Sequence, residues 1–132
     1  MDYRSTSKTV FAAHYHIIFC PKYRRRVLVG PVARQLAAII REVCAEHQAD
    51  ILGLEVMPDH VHLLVDLPPA VALSHFLQRL KGRSSRRLRQ EFPSLQRLPT
   101  LWTRSWFVAT VGGAPLAVVQ RYVEQQKAVA AR

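Results

Sequence analysis

The chain has 132 residues, of which 49% are hydrophobic, so one folded domain is expected rather than a disordered chain. Lysine and arginine total 19 against 9 acidic residues, and the net charge of +10 favours a polyanionic partner over a plainly basic soluble protein. No stretch approaches the roughly 18 apolar residues of a membrane span, no signal-peptide pattern is present, and the cysteines are too few for a disulfide framework, so we expect a cytoplasmic protein.

Seven predicted elements follow one another along the chain. Runs of β-branched and aromatic residues predict strands, apolar residues at helical spacing predict helices, and proline and glycine mark the boundaries. Residues 1–8 are polar and are expected to be frayed. The predicted elements are a strand at 9–20, a helix from Gly30 to about His47, strands at 51–57 and 60–67, a helix at about 72–92, a strand at 105–111 and a final helix within 114–131.

The order of these elements predicts the fold class. Strand, helix, strand, strand, helix, strand is the split βαβ arrangement of an α+β, ferredoxin-like domain. Its four-stranded antiparallel sheet carries two helices on one face, and the C-terminal helix is an addition to it. We expect residues 1–132 to form this single domain, and an added helix of this kind often carries function.

Two histidines lie two residues apart on the predicted third strand. The strand period of two puts His60 and His62 on one face with Cα atoms about 6.5–7 Å apart, so the imidazoles can converge on one cation. Val61 faces the core, which places the histidines either on the face away from the helices or in a gap beside them. Such a pair alone is a weak signal and is often incidental. His14 and His16 form a second pair that can approach the first only if their strands are neighbours, and we assign them a structural or DNA-proximal role.

The final helix offers a nucleophile. Tyr122 and Gln126 are one turn apart on one helix face, beside an apolar stripe. A tyrosine there often only packs, but a phenolate can also attack phosphorus and stay covalently attached. Gln126 would add a neutral oxygen to two imidazoles, a set that suits Mg²⁺ or Mn²⁺ better than structural zinc. Glu55 and Asp59 lie close to the histidine pair in sequence, and either can orient an imidazole.

Basic residues cluster in the loop 22–26 and on the second predicted helix, opposite its leucine stripe. No acidic residue lies between Arg79 and Arg89, which favours phosphate contacts over an ordinary solvated face. Tyr23 and Trp106 are either core residues or platforms on which unpaired bases stack. The predicted DNA-binding residues are Lys22, Tyr23, Arg24, Arg25, Arg79, Lys81, Arg83, Arg86 and Arg87.

The chain resembles the single-tyrosine HUH transposases of bacterial and archaeal insertion sequences, the transposase A of the IS two-hundred / six-hundred-and-five group. Several separated motifs in one order are far more specific than any motif alone. The matching stretches are 15–25 (Tyr-His-Ile-Ile-Phe-Cys-Pro-Lys-Tyr-Arg-Arg), 57–64 (Met-Pro-Asp-His-Val-His-Leu-Leu), parts of 80–86 and 101–108, and 120–126 (Gln-Arg-Tyr-Val-Glu-Gln-Gln).

The resemblance implies metal-dependent cleavage and rejoining of single-stranded DNA at insertion-sequence ends. Tyr122 would be the nucleophile that forms a 5′-phosphotyrosine, and His60, His62 and Gln126 would be the metal ligands. The implied substrate carries hairpins near the element ends. The implied assembly is a homodimer whose active sites are shared, with the tyrosine helix of one subunit against the histidine pair of the other.

Three alternatives stay open. Domesticated tyrosine transposases that act on extragenic palindromes share the chemistry. They typically have a longer C-terminal tail and lack the Lys-Tyr-Arg-Arg pattern, which favours the insertion-sequence group here. A non-catalytic DNA-hairpin-binding protein and a basic metal-binding regulator are the others, and both predict that Tyr122→Phe leaves function intact.

Overall fold

The computed structural model describes residues 14–110 and the backbone of residues 4–5 and 10–11. Two short strands, β1 (Arg4–Ser5) and β2 (Val10–Phe11), pair with each other. The remaining elements are β3 (His14–Phe19), α1 (Gly30–Glu46), β4 (Asp50–Met57), β5 (His60–Asp66), α2 (Leu73–Glu91) and β6 (Phe107–Thr110). Strands β3 to β6 form a four-stranded sheet in the order β4-β5-β3-β6, with every neighbouring pair antiparallel. The predicted α+β architecture is confirmed.

The N-terminal segment differs from the prediction. The single strand expected at 9–20 is two strands, and Arg4–Ser5, expected to be frayed, pairs with Val10–Phe11. This pairing supplies hydrogen-bond partners to backbone groups, which side-chain polarity does not reveal. The rest of 1–8 lies outside the described residues, as does the predicted helix at 114–131. Within the described part of the chain, no helix combines the length and apolar character that a membrane crossing requires.

One face of the sheet forms the core together with the two helices. Val61, Leu63 and Val65 of β5 are fully buried there, next to Ile17 and Phe19 of β3. Fully burying an aliphatic or aromatic side chain of this size stabilises the fold by about 1.5–3 kcal/mol. The helices contribute Leu36, Ile39, Ile40 and Val43 from α1, as their spacing predicts, and Phe76, Leu80 and Leu88 from α2. Of the predicted leucine stripe of α2, Leu80 and Leu88 are buried, whereas Leu73 and Leu77 are only partly buried.

Strand β5 is held in register on both sides. His62 lies opposite Ile18 of β3 and opposite Glu55 of β4, and His60 lies opposite Met57. A slip of one residue would turn the apolar side chains of β5 out of the core and both histidines into it. The core therefore fixes the face on which His60 and His62 lie.

A buried hydrogen-bond chain ties α2 to the segment before β6. The indole Nε1 of Trp102 donates to Ser84 Oγ at 2.9 Å, and Ser84 Oγ donates to the Leu80 carbonyl at 2.6 Å. Trp102 also forms an isolated β-bridge with Pro21, at the start of the basic loop. This chain therefore anchors the loop to the helical layer.

Replacing Ser84 with alanine should lower the free energy of unfolding by about 1–3 kcal/mol, because the Trp102 indole N–H would stay buried without its acceptor. Ser85→Ala, a half-buried neighbour on the same helix, is the matched control and should change that free energy by no more than about 0.5 kcal/mol. Urea unfolding followed by circular dichroism measures both. Equal unfolding free energies for the two variants would contradict this role for Ser84.

Candidate active site

Strand β5 begins with the histidine pair, directly after the Pro58–Asp59 turn. The rings of His60 and His62 lie side by side, with centroids 4.8 Å apart and perpendicular planes. The two residues are only 9% and 4% exposed, on the face of the sheet away from the helices. The structure therefore brings the two imidazoles together in a largely buried setting, as the strand period predicts.

Asp59 orients His60. His60 Nδ1 lies 2.6 Å from Asp59 Oδ1, and Arg24 Nη2 donates to Asp59 Oδ2 at 2.8 Å. Burial tends to raise the pKa of Asp59, but the hydrogen bonds from Arg24 and His60 outweigh burial and leave that pKa below its usual value. An ionised carboxylate only accepts hydrogen bonds, so the His60 proton lies on Nδ1 and the lone pair on Nε2.

The Nε2 atom of His60 is the atom that can bind a cation. It is buried and has no hydrogen-bond partner among the residues that the structure describes. An imidazole whose Nδ1–H is held by a carboxylate while Nε2 lacks a hydrogen bond has the arrangement found in metal-ligating histidines. Of the two acids expected near the pair, Asp59 makes this contact, and Glu55 lies opposite His62 on the same face of the sheet.

His16 lies against the second histidine. Its ring stacks on that of His62 with centroids 5.7 Å apart and planes 13° apart, and His62 Nδ1 is 3.5 Å from His16 Nε2. Burial lowers the pKa of His16 to about 4, so this ring is neutral near pH 7 and its Nε2 can accept a hydrogen bond from His62 Nδ1–H. From the sequence we expect only a structural or DNA-proximal role for His16. Its place beside His62 depends on the adjacency of β3 and β5, which the sequence does not reveal. His14 lies further along β3, opposite Asp66.

The third predicted ligand and the nucleophile lie elsewhere in the chain. Gln126 and Tyr122 are outside the described residues. Within residues 14–110, no group of three or more histidine, cysteine, aspartate or glutamate side chains could hold a metal ion. His60 and His62 thus fit part of a divalent-cation site, and a complete protein ligand set needs at least one further donor.

The basic loop divides its side chains between two roles. Residues Lys22–Arg24 form a short 3-10 helix, in which Tyr23 is 66% exposed and Lys22 Nζ lies 5.5 Å from the tyrosine ring centre. Arg25 is also exposed. Arg24, in contrast, is tied to Asp59 and is only partly exposed. The guanidinium of Arg24 already binds a carboxylate within the fold, and its assignment to DNA stays a prediction.

The basic face of α2 carries less unpaired positive charge than the sequence of the helix suggests. Arg83 pairs with Glu46 and Glu42, and Arg87 pairs with Glu42, all across the α1–α2 contact. The two acids lie 37 to 45 residues away in sequence, so the run 79–89 does not reveal them. Surface pairs of this kind are worth only about 0–1 kcal/mol, and a phosphate can compete for these arginines. Their assignment to DNA stays a prediction.

The other predicted DNA-binding residues of α2 differ in whether their side chains are engaged within the fold. Lys81 Nζ donates to the Arg104 carbonyl at 3.0 Å and lies 4.9 Å from the Trp106 ring centre. Trp106 itself packs face to face on Phe19, with centroids 3.8 Å apart. Of the two roles expected for Trp106, core residue or stacking platform for unpaired bases, the structure therefore favours the core. The Arg79 and Arg86 side chains are exposed on α2.

Comparison with known proteins gives a consistent result. A family described as "Transposase IS200 like" matches residues 9–126. The ISDra2 transposase TnpA of Deinococcus radiodurans is 41% identical over 120 residues, which cover 89% of this chain and 86% of that protein. The transposase for insertion sequence element IS200 of Salmonella typhimurium is 37% identical over 128 residues, or 95% of this chain and 84% of that protein.

Two solved structures share the fold. A crystal structure from Deinococcus radiodurans R1, assigned as a transposase, is 38% identical with a TM-score of 0.75 and covers 93% of this chain and 97% of its own. A REP-associated tyrosine transposase bound to a REP hairpin is 16% identical with a TM-score of 0.62, covering 95% of this chain and 67% of its own. At 16% identity, the similarity to the second structure shows a shared fold and nothing more.

The Asp59–His60 contact predicts a defined tautomer. In the metal-free protein near pH 7, His60 should carry its proton on Nδ1, because the Asp59 carboxylate accepts it. Asp59→Ala should shift His60 towards the Nε2-protonated form, whereas Arg24→Gln, which keeps the carboxylate, should not. Long-range ¹H–¹⁵N correlation spectra distinguish the two tautomers. An Nε2-protonated His60 in the unmodified protein would contradict the assignment.

Proposed function

The chain belongs to the family of IS200-like transposases, and from that premise we propose that it cleaves and rejoins single-stranded DNA at insertion-sequence ends through a 5′-phosphotyrosine on Tyr122. One observation supports this chemistry above all others. His60 and His62 lie together in a largely buried setting, and Asp59 leaves the Nε2 atom of His60 ready for a cation.

We propose that His60, His62 and Gln126 hold a Mg²⁺ or Mn²⁺ ion. The chemistry that such an ion supplies is polarisation of the scissile phosphate. His60 presents its Nε2 atom, and Asp59 keeps that ring from rotating. His16 supports the second ring at Nδ1, the position from which neighbouring groups commonly orient metal-bound imidazoles. Two imidazoles and an amide oxygen suit a borderline or hard ion that keeps coordination positions open for phosphate oxygen and water.

Tyr122 performs the bond exchange in this proposal. Its phenol loses the proton, its oxygen bonds to phosphorus, and the bond from phosphorus to the 3′ oxygen breaks. The 3′ oxygen takes up a proton and leaves as a hydroxyl, while the 5′ phosphate stays on the tyrosine. A 3′-hydroxyl of a second strand reverses these steps and joins the strands. The covalent link conserves the energy of the phosphodiester, so no nucleotide cofactor is needed.

The substrate that we propose is single-stranded DNA with hairpins near the element ends. The net charge of +10 and the exposed side chains of Arg25, Arg79 and Arg86 supply the phosphate contacts that such a strand requires. Tyr23 adds an exposed aromatic ring. The REP-associated transposase of similar fold is bound to a REP hairpin, which supports the same class of ligand for this chain.

We further propose a homodimer with active sites shared between subunits. The family resemblance implies that the Tyr122 helix of one subunit lies against the His60–His62 pair of the other. The ligands that the described residues bring together do not complete a metal site, so a further donor has to come from outside them, in the same subunit or in its partner.

The covalent step can be tested with hairpin DNA that is labelled at its 3′ end. With Mg²⁺ or Mn²⁺, the protein should form a labelled adduct that survives denaturing electrophoresis, because the 5′ phosphate of the labelled fragment stays on Tyr122. Tyr122→Phe should reduce the adduct by on the order of 10³-fold or more. Tyr15→Phe, which removes a phenol hydroxyl from β3, is the control and should keep it. An undiminished adduct in Tyr122→Phe would exclude this nucleophile, and the lack of any adduct with the unmodified protein would favour the non-catalytic alternatives.

The same assay tests the shared site when Tyr122→Phe protein is mixed with a His60→Ala/His62→Ala variant. Each variant alone should be inactive. Random exchange of subunits makes half of the dimers mixed, and each mixed dimer has one intact site of its two, so about a quarter of the original adduct should return. No recovery after confirmed subunit exchange would place the tyrosine and the histidines of each site on one subunit.

A further inference from the structure

A second candidate binding site lies beside the basic loop, separate from the histidine pair. An open groove of about 440 Å³ runs between this loop and the short helix Pro93–Arg97 that follows α2. A volume of this order accommodates a single nucleotide. The walls include Tyr23, Arg25 and Val27 from the loop and Leu95, Arg97 and Leu98 from the opposite side.

The loop holds Tyr23 in an unusual conformation. Tyr23 and Arg24 both have left-handed backbone, with φ of 60° and 52°, which bulky residues rarely adopt. The backbone N–H of Arg24 donates to the Pro21 carbonyl at 2.8 Å, and its side chain is fixed to Asp59. The surrounding contacts therefore maintain a strained conformation that leaves the tyrosine ring 66% exposed. Strain that the fold sustains in this way is typical of functional positions.

Two arginines line the groove, and both differ from the arginines that are paired within the fold. Arg25 and Arg97 are both exposed, and neither has an ion pair with an acidic residue of the described chain. Arg24, Arg83 and Arg87, in contrast, are all paired with carboxylates. The groove thus combines an exposed aromatic ring, aliphatic walls and two guanidinium groups that can bind phosphate bidentately.

We propose that this groove binds one unpaired nucleotide of the DNA substrate, with its base on the Tyr23 ring and its phosphate between Arg25 and Arg97. The inference rests on the proposed function, in which single-stranded DNA is the substrate. A paired base has both faces covered by its neighbours and cannot stack on Tyr23, so the groove selects unpaired positions. Arg24 links this loop to Asp59 and through it to His60, so a nucleotide on Tyr23 is held at a fixed position relative to the histidine pair.

Fluorescence anisotropy with two labelled probes tests the proposal. One probe is a hairpin with a single-stranded flank, and the other is a blunt duplex with the sequence of the stem. Tyr23→Ala should weaken binding of the flanked hairpin by about 10-fold, while Tyr23→Phe, which keeps the stacking surface, should stay within about twofold of the original protein. The duplex should bind all three proteins with similar affinity.

Arg97→Gln tests the phosphate contact. Loss of one phosphate contact to a single strand should reduce the slope of log K against log salt by about 0.7 for the flanked hairpin. Arg41→Gln, an exposed arginine on α1 away from the groove, is the matched control for the loss of one charge. It should leave that slope unchanged.

The outcomes separate this inference from the proposed function. If the unmodified protein binds and cleaves the flanked hairpin while Tyr23→Ala binds it equally well, the groove is not a nucleotide site and the proposed function stands. A Tyr23→Ala variant that loses affinity for both probes equally also overturns the inference, because it removes the selectivity for unpaired positions. If the unmodified protein neither binds nor cleaves hairpin DNA, the proposed function fails and the inference fails with it.

Discussion

The pairing register of β5 between β3 and β4 is the constraint on which the rest of the site depends. Val61, Leu63 and Val65 can be buried under the helices only if the alternate residues of β5 face the other side. The burial of these three side chains stabilises this register by several kcal/mol in total, which outweighs any preference of the histidines for one face of the sheet. His60 and His62 are thus placed together by the packing of their neighbours.

The same register determines what surrounds the pair. Because β3 and β4 flank β5, His16 comes to lie against His62, and Glu55 comes to lie opposite it. At the start of β5, the Pro58–Asp59 turn places Asp59 where it holds both His60 and Arg24. One carboxylate therefore connects the candidate metal ligand to the basic loop. The candidate metal ligand and the loop that we propose to contact DNA are in this way parts of one hydrogen-bonded unit.

Much of the fold and part of the candidate site could be predicted from the sequence, because strand and helix periods report which side chains face the core. The His60–His62 pair follows from a period of two alone. The position of His16 does not, since it depends on which strands are neighbours. The pairing of Arg83 and Arg87 with acids of α1 is likewise a tertiary property. No local pattern distinguishes the exposed Tyr23 from Trp106, which stacks on Phe19.

The electrostatics of the molecule also follow from tertiary placement. Several of its cations are paired internally, so the total of 19 lysine and arginine residues overstates how many basic side chains are available to phosphate. Exposed cations lie next to Tyr23, namely Arg25 and Arg97, and on α2, namely Arg79 and Arg86.

Mn²⁺ bound to the whole chain provides the most direct test of the histidine pair, because hyperfine couplings measured by pulsed electron paramagnetic resonance count the ring nitrogens that ligate the ion. We predict couplings from two imidazole nitrogens, one of which is lost in His60→Ala and the other in His62→Ala. Asp59→Ala should weaken Mn²⁺ binding by about 10–100-fold while keeping both nitrogens as ligands. Bound Mn²⁺ without imidazole coupling, or an unchanged spectrum in the double histidine variant, would contradict the proposed site.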